Sequence, residues 1–180
     1  METPVFHSKQ GFRAYGAVVA NSSSEATCRN ISTVYLAQPA GMFRVAFQQT
    51  PESLGAGGVY DGNGIERIQW SPSGTRLLIG ISQWTWGTDS TWNKKYIVVS
   101  GSEGSAKELP IMAAIQKYFA QPCAWLSSSK GWLDDTRIDV EIDPYKDLNE
   151  EGATGPTGSC VRAAMHFSFD VDSGEFRSWR

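Results

Sequence analysis

Apolar and polar residues alternate in short runs along the whole chain, and most runs are closed by Gly, Pro, Ser or Asn. Alternation with period two is the mark of a half-buried β-strand, and Thr136 to Ile142 shows it clearly. The middle of the chain shows how such runs are joined. Ile65 to Trp70 predicts a first strand, Ser71-Pro72-Ser73-Gly74 a turn, and Arg76 to Ser82 a second strand. Proline at the second turn position presets φ, and glycine at the fourth suits a type I turn. A polar, tryptophan-rich loop from Gln83 to Asn93 leads to a third strand, Lys95 to Ser100. Gly101 to Ser105 then turns into a short fourth strand, Ala106 to Leu109. These runs predict a four-stranded antiparallel meander.

The same order of strands and turns fits the rest of the chain. Near the start, Pro4 to His7, the turn Ser8-Lys9-Gln10-Gly11 and Arg13 to Ala20 form a strand pair. A polar loop, Asn21 to Asn30, precedes strands at Ser32 to Ala37 and Phe43 to Gln48. Near the end, Ala124-Trp125-Leu126 precedes Ser127 to Gly131, and strands are predicted at Thr136 to Ile142, Val161 to Asp170 and Phe176 to Trp179, with a long loop at Asp143 to Ser159. One segment departs from this period. Ile111, Ile115, Tyr118 and Phe119 fall on one helical face, Pro110 suits a first helical position, and Pro122 stops continuation. A short amphipathic helix over about 110–120, packed on a sheet, is predicted.

The stretch from Ile68 through Trp70 and Ser71-Pro72-Ser73-Gly74 to Gly80 resembles the TolB-type β-propeller repeat, whose pattern is WxPDGxxI/L. Ser73 stands where that repeat usually has Asp. The expected fold is therefore all-β: three antiparallel four-stranded blade-like meanders with one short helix, a partial or open propeller-like arrangement. The units cover about 4–50, 65–109 and 123–180 within a single domain, 1–180. A generic sandwich or barrel is the competing architecture. Closed propellers usually have four or more blades, so three either stay open or are completed by a second chain.

Composition narrows the classes of function. The chain has 180 residues, 41% of them hydrophobic, which suits one domain or repeat array and argues against disorder. A net charge of −3 gives no electrostatic support for a nucleic-acid partner. No apolar run approaches the roughly 18 residues of a membrane span. Seven Trp among many Gly, Ser and Thr suggest an extracytoplasmic β protein, periplasmic or secreted, although no signal peptide is visible after Met1. Cys28, Cys123 and Cys160 fit no zinc spacing. One disulfide with one thiol and three buried thiols both remain open, and the burial habit of free cysteine favours three structural thiols.

Long segments gather at one end of such a meander array, and binding usually resides on long loops held by a rigid scaffold. Trp84, Trp86 and Trp92, with Asp89 near them, form the candidate ligand site there. Aromatic faces beside polar groups stack a sugar or hold an apolar ligand; the competing role is to fill space between neighbouring sheets. Neither a catalytic set, a metal site nor a cofactor is expected. Asp143, Asp147, Glu150 and Glu151, the Asp61 to Gly64 stretch and the Asp170 to Gly174 stretch look loosely calcium-like, but Asp and Asn favour turns by bonding local backbone. His7 and His166 are the only histidines, and no nucleophile elbow, phosphate loop or HExxH occurs. Asn21-Ser22-Ser23 and Asn30-Ile31-Ser32 match the glycosylation triplet. The expected function is a non-enzymatic binding or protein-interaction module with a protein or carbohydrate ligand. One rival is a hydrolase or lyase built on Asp89, Asp143 and Asp147. Another is a structural, truncated propeller that forms a homodimer, because Phe176 and Trp179 on the last strand leave apolar area to be covered.

Overall fold

A computed structural model describes residues 1–24, 27–55, 58–60, 62–85, 92–120, 123–145 and 158–179. The protein is mostly β, and its strands form three four-stranded antiparallel sheets and one two-stranded hairpin. Among the described residues no sheet closes into a barrel, and no helix is long and apolar enough to cross a membrane. The chain divides into two compact units, Met1–Glu108 and Leu109–Arg180.

The first unit holds two meanders. β1 (Phe6–His7), β2 (Arg13–Ser24), β3 (Thr27–Ala37) and β4 (Arg44–Gln49) pair in sequence order as the first sheet. β5 (Glu52–Gly55) and β6 (Gly58–Tyr60) form the hairpin. β7 (Gly62–Trp70), β8 (Arg76–Trp84), β9 (Trp92–Ser100) and β10 (Ala106–Glu108) form the second sheet. Ala14, Val34 and Leu36 of the first sheet pack on Ile68, Leu77, Ile79, Ile81, Ile97 and Val99 of the second. Fully burying side chains of this size stabilises by about 1.5–3 kcal/mol each. Close approach of the sheets explains Gly16: an added Cβ would stand 2.4 Å from Ile65 Cδ1 and 3.0 Å from Ile68 Cδ1. β8 is buried on both faces, so Leu77, Leu78, Ile79, Gly80 and Ile81 read as a continuous run instead of an alternation.

The turn that stood out in the sequence joins the two meanders. Gly74 N–H donates to Ser71 O at 2.8 Å, and Gly74 takes φ +77°. A Cβ there would meet the Lys9 backbone N at 2.9 Å, because the β1–β2 turn lies alongside. Trp70 Nε1 donates to Phe6 O at 3.1 Å, and its ring stacks on Phe12 at 5.8 Å. A second link is polar. Asn63 N–H donates to Asn30 Oδ1 at 2.8 Å, and Asn63 Nδ2 donates to Asn30 O at 2.7 Å, both in buried positions. Hydrogen bonds between buried amides inside an apolar stack fix one register of the two sheets, and of this pair Asn63 Oδ1 is left without a partner. The Asn30 glycosylation triplet is thereby buried in the fold.

The second unit begins with α1 (Ile111–Phe119), followed by β11 (Trp125–Trp132), β12 (Arg137–Pro144), β13 (Met165–Asp170) and β14 (Phe176–Ser178), the third sheet. One face carries Ile138, Val140, Ile142, Phe167 and Phe169, all without solvent contact. Tyr118 of α1 meets Phe167 and Phe176 edge-on at 5.0 and 5.7 Å, and Phe176 stacks on Phe167 at 4.7 Å. Ile111 and Ile115 complete the buried helical face, as the spacing predicts. Asp134 and Asp170 act as turn residues: Asp134 Oδ1 accepts from the Thr136 and Arg137 N–H groups, Asp170 Oδ1 from those of Asp172 and Ser173. The Thr136 N–H, and after it the Arg137 side chain, pull the Asp134 carboxyl down to about 2.

Several expectations need correction. Cys123 and Cys160 form a disulfide, Cα–Cα 5.1 Å, where three free thiols were favoured. Neighbouring backbone bonds bring the two cysteines together: Ala124 N–H donates to Gly158 O at 2.9 Å and Cys160 N–H to Ala124 O at 3.0 Å. The Asn21 to Asn30 loop is largely strand, because β2 and β3 stay paired out to Ser24 and Thr27. Likewise, pairing of Gln83 with Asn93 and of Trp84 with Trp92 shortens the second loop. Pro110 is the residue before the helix, not its first turn. The third strand of the third meander starts at Met165 and not at Val161. Phe176 and Trp179 are not left bare, since the aromatic cluster covers Phe176 and Trp179 Nε1 donates to Asp139 Oδ1 at 3.2 Å.

The Cys123–Cys160 bond spans 37 residues of sequence, for which loop entropy gives about 3 to 4 kcal/mol of stabilisation. We expect Cys160→Ser to lower the urea midpoint of the second unit's transition, with dithiothreitol lowering the wild type equally. Superimposable curves for oxidised and reduced protein would contradict this role.

Candidate functional site

At the long-loop end of the second sheet, β8 and β9 continue as a paired ribbon, with residues 83 and 93, and 84 and 92, directly opposite. Successive residues face opposite sides, so this ribbon presents two different surfaces. On the side continuous with the core, Gln83 is fully buried. Its amide Nε2 donates to Glu52 Oε2 at 3.0 Å, and its Oε1 accepts from Asn93 Nδ2 at 3.0 Å. Lys95 Nζ donates to the same Glu52 oxygen at 2.6 Å, and Glu108 lies 3.8 Å from Lys95. The hairpin β5–β6 is thus tied to the sheet through Glu52, which caps a buried amide. The Lys95 hydrogen bond, followed by that of Gln83, holds the Glu52 carboxyl below its ordinary value of 4.5.

The other side carries Trp84. Its indole extends along β7 over two glycines. A Cβ at Gly62 would fall 2.0 Å from Trp84 Nε1, and one at Gly64 3.4 Å from Cη2 and Cζ3. Glycines at alternate positions of β7 leave the floor on which the ring lies. Trp84 is half-buried. Beside it, Lys94 Nζ pairs with Glu66 Oε2 at 3.3 Å. Of the four residues predicted for the site, the structure places Trp84 on this floor and Trp92 in register opposite it; Trp86 and Asp89 lie outside the described residues. Of the rival acidic set, Asp143 is the next-to-last residue of β12, while Asp89 and Asp147 are also outside the described residues.

A second polar cluster occupies the other face of the third sheet, where Asp139 and Ser168 are themselves buried. His166 Nδ1 lies 2.9 and 3.0 Å from the two oxygens of Asp139, and its Nε2 lies 3.8 Å from Glu141 Oε1. Lys130 pairs with Glu141, and its hydrogen bond holds the Glu141 carboxyl below the usual range. The Trp179 ring stands edge-on to His166 at 6.2 Å. His166 is therefore carboxylate-bound, where the sequence suggested a packed or exposed ring. Asp139 and Glu141 alternate with Ile138, Val140 and Ile142, so their common face is readable from the strand. The pairing with His166 depends on β13 register and is not. Among the described residues no group of three or more His, Cys, Asp and Glu is set to hold a metal ion.

A cleft of about 200 Å³ opens in the first unit, lined in part by Leu36, Met42, Arg44, Val45 and Glu103. It lies between the β3–β4 and β9–β10 turns, at the short-turn end and away from Trp84. Compared with protein-family models, with curated proteins and with solved structures, the chain matches none.

The Glu52 bonds carry a pH signature. A carboxyl held below its ordinary value contributes stability that is complete above that value and fades as pH falls through the folded-state value. We expect wild type to be more stable than Glu52→Gln at pH 7, with the gap closing below about pH 4.5. Thermal melts of both proteins from pH 7 to 3 check this; a gap that is constant with pH contradicts it.

Proposed function

We propose that this chain is a non-enzymatic binding module of an extracytoplasmic compartment, and that it takes a carbohydrate or a protein segment at the long-loop end of its second sheet. The observation that carries the reading is Trp84, half-buried and seated on Gly62 and Gly64 at the end of the β8–β9 ribbon. A ring immobilised by backbone on one side loses little conformational freedom on binding, and rigid aromatics are favoured anchors for that reason. The Lys94–Glu66 pair beside it offers donors and acceptors for hydroxyls or peptide groups. Treating the three meanders as TolB-type blades supports this choice of end, since the turns at the opposite end are short. The Cys123–Cys160 bond supports a periplasmic or secreted location, where disulfides persist.

Tryptophan fluorescence titrations with neutral oligosaccharides, peptidoglycan fragments and unstructured peptides test the proposal. We expect one class to bind and Trp84→Ala to weaken it at least about tenfold, which corresponds to about 1.4 kcal/mol. Equal binding by Trp84→Ala, with its melting temperature unchanged, would remove Trp84 from the site.

A further inference from the structure

The cleft at the short-turn end of the first unit is separate from Trp84, and its walls are built by hydrogen-bonded turns. On one side, Gly41 N–H donates to Gln38 O at 2.9 Å, and Arg13 Nη2 donates to Gly41 O at 2.6 Å. On the other, Gly104 N–H donates to Ser100 O at 2.8 Å. Gln38 Nε2 donates across to Ser102 O at 2.8 Å, which ties the two turns together. Small-molecule sites are usually preformed in this way.

The lining divides into an apolar part and two charges. Leu36 is buried, whereas Met42 and Val45 are 87% and 58% exposed. Arg44 stands directly opposite Leu36 in the β3–β4 ladder. Directly opposite residues share a face of a sheet, so Arg44 leaves β4 on the side that packs on the second sheet. Its guanidinium has no hydrogen bond or ion pair with a described residue. Glu103 lines the opposite wall, where its Oε2 accepts from Ser105 Oγ at 3.1 Å and no cation pairs with it. An unpaired cation and an unpaired carboxylate thus flank one apolar hollow.

We propose that this cleft binds a free apolar α-amino acid, with its carboxylate on Arg44, its ammonium on Glu103 and its side chain against Leu36, Met42 and Val45. A guanidinium takes a carboxylate through two parallel hydrogen bonds. Glu103 disfavours a ligand that carries a carboxylate alone, and Arg44 one that carries an amine alone; a zwitterion satisfies both. An aliphatic side chain removes the exposed surface of Met42 and Val45 from water, and the unbranched Met42 adapts to its shape. The volume agrees. At roughly 30 Å³ per water, about 200 Å³ holds about seven waters, the scale of leucine or methionine and too little to enclose a disaccharide or a peptide strand.

Isothermal titration calorimetry of the full chain with L-leucine, L-methionine, glycine, isocaproate and isoamylamine tests the site. The last two are leucine without its ammonium and leucine without its carboxylate. We expect a Kd on the order of 0.1 mM for leucine or methionine, as suits a ligand of this size. Glycine, isocaproate and isoamylamine should each bind at least about tenfold more weakly. Arg44→Gln and Glu103→Gln, both at exposed positions, should keep the wild-type melting temperature and weaken leucine at least about tenfold. No saturation by leucine or methionine up to about 10 mM overturns the proposal. So does isocaproate binding as tightly as leucine, which leaves an anion site only, or undiminished leucine binding by both variants. If a variant fails to fold, the wild-type ligand series decides: equal affinity for glycine and leucine overturns the apolar contact on which the proposal rests.

Discussion

The first unit depends on one constraint: two four-stranded sheets must lie close enough for Ile65 and Ile68 to occupy the space that a side chain at position 16 would fill. Neither meander has a complete core alone. Stacked, they bury the Leu77, Ile79 and Ile81 face of β8 between them, and Leu78 and Gly80 on its other face are buried as well. The contacts around this stack serve it. Trp70 bonds Phe6, the Ser71 to Gly74 turn lies against the Lys9 turn, and Asn30 and Asn63 exchange backbone and amide bonds across the sheets. Removing one apolar neighbour leaves a cavity; shifting the register breaks the buried amide pair as well.

The second unit solves the same problem with different material. Its sheet meets a short helix through the aromatic cluster of Tyr118, Phe119, Phe167 and Phe176, and carries Asp139, Glu141 and His166 on the other face. A two-faced sheet of this kind needs only one covering layer. The disulfide closes the segment between the helix and β13, supplying restraint that a small core does not.

Much of the fold was legible because the turns are chemically explicit. Pro72 and Gly74, Gly101 and Gly104, and Ser173 and Gly174 punctuate strands whose alternation is clear, and Ile111 and Ile115 mark the helix. What escaped depends on distant partners. The β5–β6 hairpin is polar and glycine-bearing, and Glu52 acquires its role only when Gln83 and Lys95 are brought to it. The extensions of β2 and β3 have no apolar alternation to betray them. Nothing in three cysteines says which two will pair. The candidate site was marked in the sequence only by its tryptophan-rich segment, whereas the seat of Trp84 depends on Gly62 and Gly64, twenty or so positions earlier in the chain.

Native-state hydrogen exchange measures the central stack most directly. If the two sheets form one cooperative core through β8, the amides of Leu77 to Ile81 exchange only by global unfolding of the first unit, and their free energies coincide across denaturant. β10, a three-residue exposed edge strand, opens locally and exchanges faster. Exchange of Leu77 to Ile81 as fast as that of Ala106 to Glu108 would contradict the account.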